Sequence, residues 1–139
     1  MLHLKQTLHN FYTKISSTIS TTGSLNNFST CLTTASASQS FTVTASDLTA
    51  DLTVTAPSGY EIATTQVGTY TNSLTLTATS GTVSATNIWV RLTGATAGTF
   101  TGTINASSTG ATTQSISVSG TVNAASVGGT ISGSTSVCS

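Results

Sequence analysis

The strongest constraint in this chain is the alternation between residues 87 and 105, Asn-Ile-Trp-Val-Arg-Leu-Thr-Gly-Ala-Thr-Ala-Gly-Thr-Phe-Thr-Gly-Thr-Ile-Asn. Ile88, Val90 and Leu92 share one phase, and Asn87, Trp89 and Arg91 share the other. Side chains alternate across a strand with period two, so the pattern predicts a half-buried β-strand with one apolar face. Alternation resumes after Gly94–Gly98 with Phe100, Gly102 and Ile104. Two alternating runs joined by a short Gly-containing loop predict an antiparallel strand pair.

The rest of the chain offers strands to cover that face. Alternation predicts strands over residues 24–30, 39–45, 48–56, 60–64, 73–79 and 113–123, with turns at Pro57-Ser58-Gly59 and Ser80-Gly81 and a loop over 66–72. Leu48, Ala50, Leu52 and Val54 are expected on one face. The predicted core joins Ile88, Val90 and Leu92 to Phe41, Leu52, Val54, Leu76, Ile104, Ile116 and Val118. Seven to eight strands, each with one apolar and one hydroxyl face, predict an all-β fold of two antiparallel sheets packed face to face. A closed barrel is the alternative.

Composition decides what such a fold presents to water. The 139 residues include 33 Thr and 23 Ser but only six charged side chains, with no net charge. An ordinary soluble protein is about a quarter charged, so hydroxyls solvate this one. The branched Cβ of Thr suits a pleated surface, which favours strands over a disordered stalk. A nucleic-acid partner requires a basic footprint that three Lys and Arg do not supply. No apolar run reaches the ~18 residues of a membrane-spanning helix.

The two ends break the pattern. Residues 1–16 hold both histidines, both lysines and the methionine. Leu4, Leu8, Phe11 and Ile15 follow the 4-3-4 spacing of an amphipathic helix, which predicts a short helix or a docking arm. As a secretory leader the segment is degenerate, because Lys5, Gln6, His9, Asn10 and Lys14 interrupt its apolar core. Residues 124–139 read as a Gly/Ser-rich linker followed by the start of another module. The expected division is therefore an arm or leader over 1–16, a sandwich over 17–123 and a linker over 124–139. If Cys138 opens a following module, Cys31 and Cys138 are expected not to bond to each other.

Several blocks in order carry a family resemblance: residues 24–31 (Ser-Leu-Asn-Asn-Phe-Ser-Thr-Cys), 35–43, 54–62, 87–92, 109–114 and the tail 127–138. Together they resemble an immunoglobulin-like repeat of very large exported surface and adhesin proteins of the Bacteroidetes group. The resemblance covers roughly residues 17–123. It implies an immunoglobulin-like sandwich, an extracellular or cell-surface location, tandem repeats as neighbours and a spacer or adhesive role. It carries no catalytic residue.

Chemistry-bearing residues are few. Asp47, Asp51 and Glu61 are the only carboxylates, against the flanking pair about 5–10 Å apart that glycoside hydrolysis uses. Asp47 and Asp51 sit about 13 Å apart on a straight strand, too far to share a calcium ion. A Ser/His/Asp triad would have to borrow His3 or His9 from the arm. No catalytic role, cofactor or metal is expected. Trp89 and Arg91, with outward phase, form a possible binding surface, because aromatics stack on sugar rings or anchor partners. The expectation is a non-catalytic structural or adhesive module whose partners are neighbouring repeats, identical subunits or surface glycans. Two alternatives follow: a filament subunit whose arm adds to a neighbour's sheet edge, and a carbohydrate-binding module using Trp89.

Overall fold

Alternation built into nine segments produces nine strands, seen in a computed structural model that describes residues 16–125. They are β1 (Thr18–Thr22), β2 (Phe28–Cys31), β3 (Gln39–Ser46), β4 (Leu52–Thr55), β5 (Tyr60–Ala63), β6 (Ser73–Leu76), β7 (Val83–Leu92), β8 (Gly98–Ser107) and β9 (Gln114–Asn123). One sheet has the order β1-β3-β7-β5 and the other β2-β9-β8-β4-β6. All neighbours are antiparallel except β2, which runs parallel to β9. The two sheets face each other across one apolar core, a sandwich-like arrangement. Among the described residues no helix is long and apolar enough to cross a membrane.

The long strands keep the phases their sequences predict. Ile88, Val90 and Leu92 have no exposure, and Leu52, Val54, Phe41, Ile104 and Val118 are buried with them. Leu76 and Ile116 are only half-buried and pack against the rim of the cluster. Leu76 lies on an edge strand of its sheet, where nothing flanks it on one side.

Three expectations are corrected. The runs over 87–92 and 98–104 are not a hairpin pair: β7 bonds to β3 and β5, whereas β8 bonds to β9 and β4. The loop between them passes from one sheet to the other. Alternation sets which way a side chain points, and a loop of that length spans two sheets as readily as two neighbours. Strands 48–56 and 73–79 shrink to β4 and β6, because Leu48 anchors a turn by donating its N–H to Gly81 O at 2.9 Å and Ala50 is exposed. The strand expected over 24–30 resolves into β2, and β1 is an additional strand carved from the segment that adjoins the arm. The helix or arm over residues 1–15 and the linker beyond residue 125 lie outside the described residues.

The turn between β7 and β8 is fixed by close approach. Gly94 adopts φ +74°, and a Cβ there would come within 2.1 Å of Thr34 O. That space lets Thr33 N–H donate to Gly94 O at 2.7 Å and Ser36 N–H donate to Leu92 O at 2.9 Å. Ser36 is the one buried polar residue in this core region, and its Oγ accepts the Leu92 N–H at 2.9 Å. A hydroxyl thus completes the ladder at the buried end of β7.

Two substitutions test this packing. Leu92→Ala removes a fully buried side chain and should destabilise by about 2–5 kcal/mol, whereas Thr93→Ala, half-buried next to it, should cost well under ~1 kcal/mol. Urea unfolding of both variants measures the contrast, and equal losses would mean the strand phase is misassigned. Ser36→Ala leaves the buried Leu92 N–H without an acceptor and should cost about 1–3 kcal/mol in the same assay.

Candidate functional site

The outward phase of β7 places Trp89 and Arg91 on the solvent side of the four-stranded sheet, both half-buried. Trp89 lies between Ser40 of β3 and Ala63 of β5, and Arg91 lies opposite Glu61 of β5. The Arg91 guanidinium sits 3.9 Å from the centre of the Tyr70 ring, and its Nε donates to Glu61 Oε1 at 2.7 Å.

Tyr70 belongs to the connection between β5 and β6. That connection is tied to the sheet where Ile62 and Thr71 exchange N–H···O bonds of 2.7 and 2.8 Å. The tie closes the outer edge of β5 and turns Tyr70 back over the sheet, where its hydroxyl donates to Gln66 O at 3.0 Å. The buried Tyr70 ring offers its π-face to the partly exposed Arg91 guanidinium, an arrangement worth about 0.5–2 kcal/mol. The Arg91–Glu61 pair is itself a quarter to a third exposed, so screening holds its contribution to about 0.2–1 kcal/mol.

The result is a rigid patch: a half-exposed indole beside a cation whose position is fixed from two sides. It suits stacking on a flat, uncharged ring or anchoring a partner surface. It holds no free base, because Glu61 is engaged by Arg91. Asp51 is occupied elsewhere, accepting the Ala78 N–H at 3.0 Å, and Asp47 sits in a turn with φ +56°. Among the described residues, no three ligand-type side chains converge on a possible metal position. The expected arm residues Leu4, Leu8, Phe11 and Ile15 lie outside the described residues.

Sequence reasoning found Trp89 and Arg91 but missed Tyr70, and treated Glu61 only as a stray carboxylate. The inward phase of Tyr60 and Ile62 does put Glu61 outside. Pairing Glu61 with Arg91 needs the β5–β7 register, which local pattern does not contain.

The core carries a polar contact between the sheets. Tyr60 is 1 % exposed, and its hydroxyl donates to Phe100 O of β8 at 3.0 Å. Its ring meets Phe28 edge-on, with centroids 5.6 Å apart. Burial raises the Tyr60 pKa above its ordinary 10.0, because the phenolate is desolvated.

Cys31 is disulfide-bonded, and the expectation about its pairing with Cys138, the chain's other cysteine, falls on a residue that the structure does not describe. The parallel pairing of β2 sets Cys31 beside Asn123, at the end of β9.

The chain matches no protein-family model, and it matches no curated protein.

Two measurements follow. Trp89 fluorescence should be quenched by acrylamide in the folded protein, to an extent between a shielded and a free indole; complete protection would mean another surface covers this face. The Tyr60 shift fixes the sign of an alkaline effect. The neutral phenol is favoured in the fold, so its contribution is whole below the ordinary value near 10.0 and is lost as pH rises through the higher folded value. Stability should therefore fall at alkaline pH, and Tyr60→Phe, although about 1–3 kcal/mol less stable at neutral pH, should show a shallower fall in pH-dependent urea unfolding.

Proposed function

We infer that this chain is a non-catalytic structural or adhesive module of an exported cell-surface protein, built as an immunoglobulin-like sandwich. The order of the sheets carries this reading. With the strands lettered along the chain, β1-β3-β7-β5 reads A-B-E-D and β9-β8-β4 reads G-F-C, the two sheets of the immunoglobulin arrangement. β2 is then a split first strand that pairs parallel with G. β6 is the departure, since it follows the D position in the chain yet pairs beside C.

Two further observations support export. Cys31 is disulfide-bonded, and disulfides persist in oxidising compartments. The solvent faces of β8 and β9 are lined by Thr99, Thr101, Thr103, Ser115, Ser117 and Thr121, all exposed. A face of this kind suits contact with other surfaces more than recognition of a charged substrate. The resemblance to exported repeat proteins, read from the blocks between residues 17 and 123, points the same way.

A sugar-binding role for the Trp89 patch is the second reading, favoured by the half-exposed indole beside the fixed Arg91 guanidinium. A glycan array separates the two: wild-type binding that disappears in Trp89→Ala would install it.

The main test is location. Antibody to the folded chain should label intact cells of the source organism, and external protease should remove that label. Signal found only after the cells are opened, in the cytoplasmic fraction, would overturn the reading.

A further inference from the structure

The sandwich is open along one seam. In the four-stranded sheet, β5 covers β7 only from Trp89 to Leu92, so β7 from Val83 to Ile88 has no neighbour on that side. In the other sheet, β6 is the edge. Between these free edges runs a groove of about 510 Å³, with Thr75, Leu76 and Thr77 on one wall and Val83, Ser84 and Thr86 on the other.

The β6 edge is ready to pair. Ala56 N–H donates to Asn72 O at 2.8 Å, which makes that pair, and with it Val54–Leu74 and Leu52–Leu76, the hydrogen-bonded positions of the ladder. The intervening residue Thr75 therefore directs its N–H and C=O away from β4, into the groove. Natural edges are blunted by shortness, charge, proline or a bulge, and of these β6, at four residues, has the first. Here Ser73–Leu76 has no charged residue and no proline, and its register with β4 is unbroken.

The chain carries a segment suited to this groove. Residues 1–15 precede β1, and in extended form Leu2, Leu4 and Leu8 share one phase, interrupted by Gln6, with Lys5 and Thr7 on the other. Such a length spans up to about 50 Å, well beyond the few residues the groove needs. Charge also matches. The described residues hold one cation, Arg91, against Asp47, Asp51 and Glu61, whereas residues 1–15 hold Lys5 and Lys14 and no acid. Asp51 accepts the N–H of Ala78, which lies in the chain between the groove-lining Thr77 and Thr79.

Direction separates a neighbour from the chain's own segment. β1 pairs Thr18 with Ser46, and β3 pairs Ala45 with Val83, so Thr18 and Val83 lie at the same end and β1 runs parallel to β7. The chain therefore arrives at Thr18 from beyond that end. Reaching its own groove would require the segment to reverse and cross β3 and β7, a path of about 10 Å that its length allows, whereas a second copy's groove needs no reversal.

We propose that the groove between β6 and β7 accepts residues 1–15 of a second copy as an added strand hydrogen-bonded to β6 at Thr75. Donor and acceptor are different surfaces of one chain, so the contact is head-to-tail and propagates into filaments. This holds whether or not the chain is a surface module, since it rests on the open edge and on the residues that precede β1.

Size-exclusion chromatography with light scattering on the full chain, from micromolar to millimolar concentration, tests it. Wild type should grow in mass with concentration. Thr75→Pro removes an N–H that the fold itself does not use, and proline is tolerated at such edge positions. It should keep the β-sheet circular dichroism and weaken association at least about tenfold, as should the doubly substituted Leu4→Asp, Leu8→Asp chain. Mixing these two variants should give one-to-one dimers that grow no further, because one retains only the donor and the other only the acceptor. A wild type that is monomeric throughout overturns the proposal, as does a folded Thr75→Pro chain that assembles like wild type. Dimers that persist in the Leu4→Asp, Leu8→Asp chain mean edge-to-edge pairing and overturn it as well. If Thr75→Pro fails to fold, the arm variant alone decides.

Discussion

Everything in this fold depends on covering the inner face of β7. Ile88, Val90 and Leu92 are without exposure, and burying one such side chain is worth about 1.5–3 kcal/mol. β7 sits between β3 and β5 in its own sheet, so its inner face looks across to the five-stranded sheet. Tyr60 adds the one directional link described between the layers, from β5 to the Phe100 carbonyl on β8. Hydrophobic burial alone would let the sheets slide, and that hydrogen bond fixes their offset. Gly120 makes room for it: a Cβ there would stand 2.8 Å from Phe28 and 3.0 Å from the Tyr60 hydroxyl.

Much of this was legible in the residues. Period-two alternation in β3, β7 and β9 gave the buried face correctly, because a half-buried strand must separate apolar from polar side chains. Pairing was less legible. β7 and β8 look like a hairpin in sequence, yet they belong to different sheets. Ser36 completing the Leu92 ladder and Gly94 receding from Thr34 are long-range facts with no local signature. The candidate patch divides the same way: Trp89 and Arg91 announce themselves by phase, while Tyr70 comes from an irregular connection. Its approach to Arg91 depends on the Ile62–Thr71 bridge, which no periodicity foretells.

The edges show how one sequence feature acts at two levels. Thr supplies the branched Cβ that favours a strand, and its hydroxyl replaces the charge that would otherwise hydrate the outer face. The same substitution leaves β6 without the lysines that normally discourage pairing with another chain. The open seam is thus a direct result of what makes the strands stable.

A body with four charged side chains among its described residues produces almost no long-range field. Ordinary proteins lean on charge repulsion to stay apart, and they feel every change in ionic strength through a Debye length of about 8 Å at physiological salt. Contacts made by the hydroxyl faces would rest on hydroxyl hydration and backbone pairing, which salt screens little, and only the charges of Lys5 and Lys14 would bring a salt-sensitive attraction to the open edge. A change in salinity should therefore weigh less on such a surface than on an ordinarily charged one.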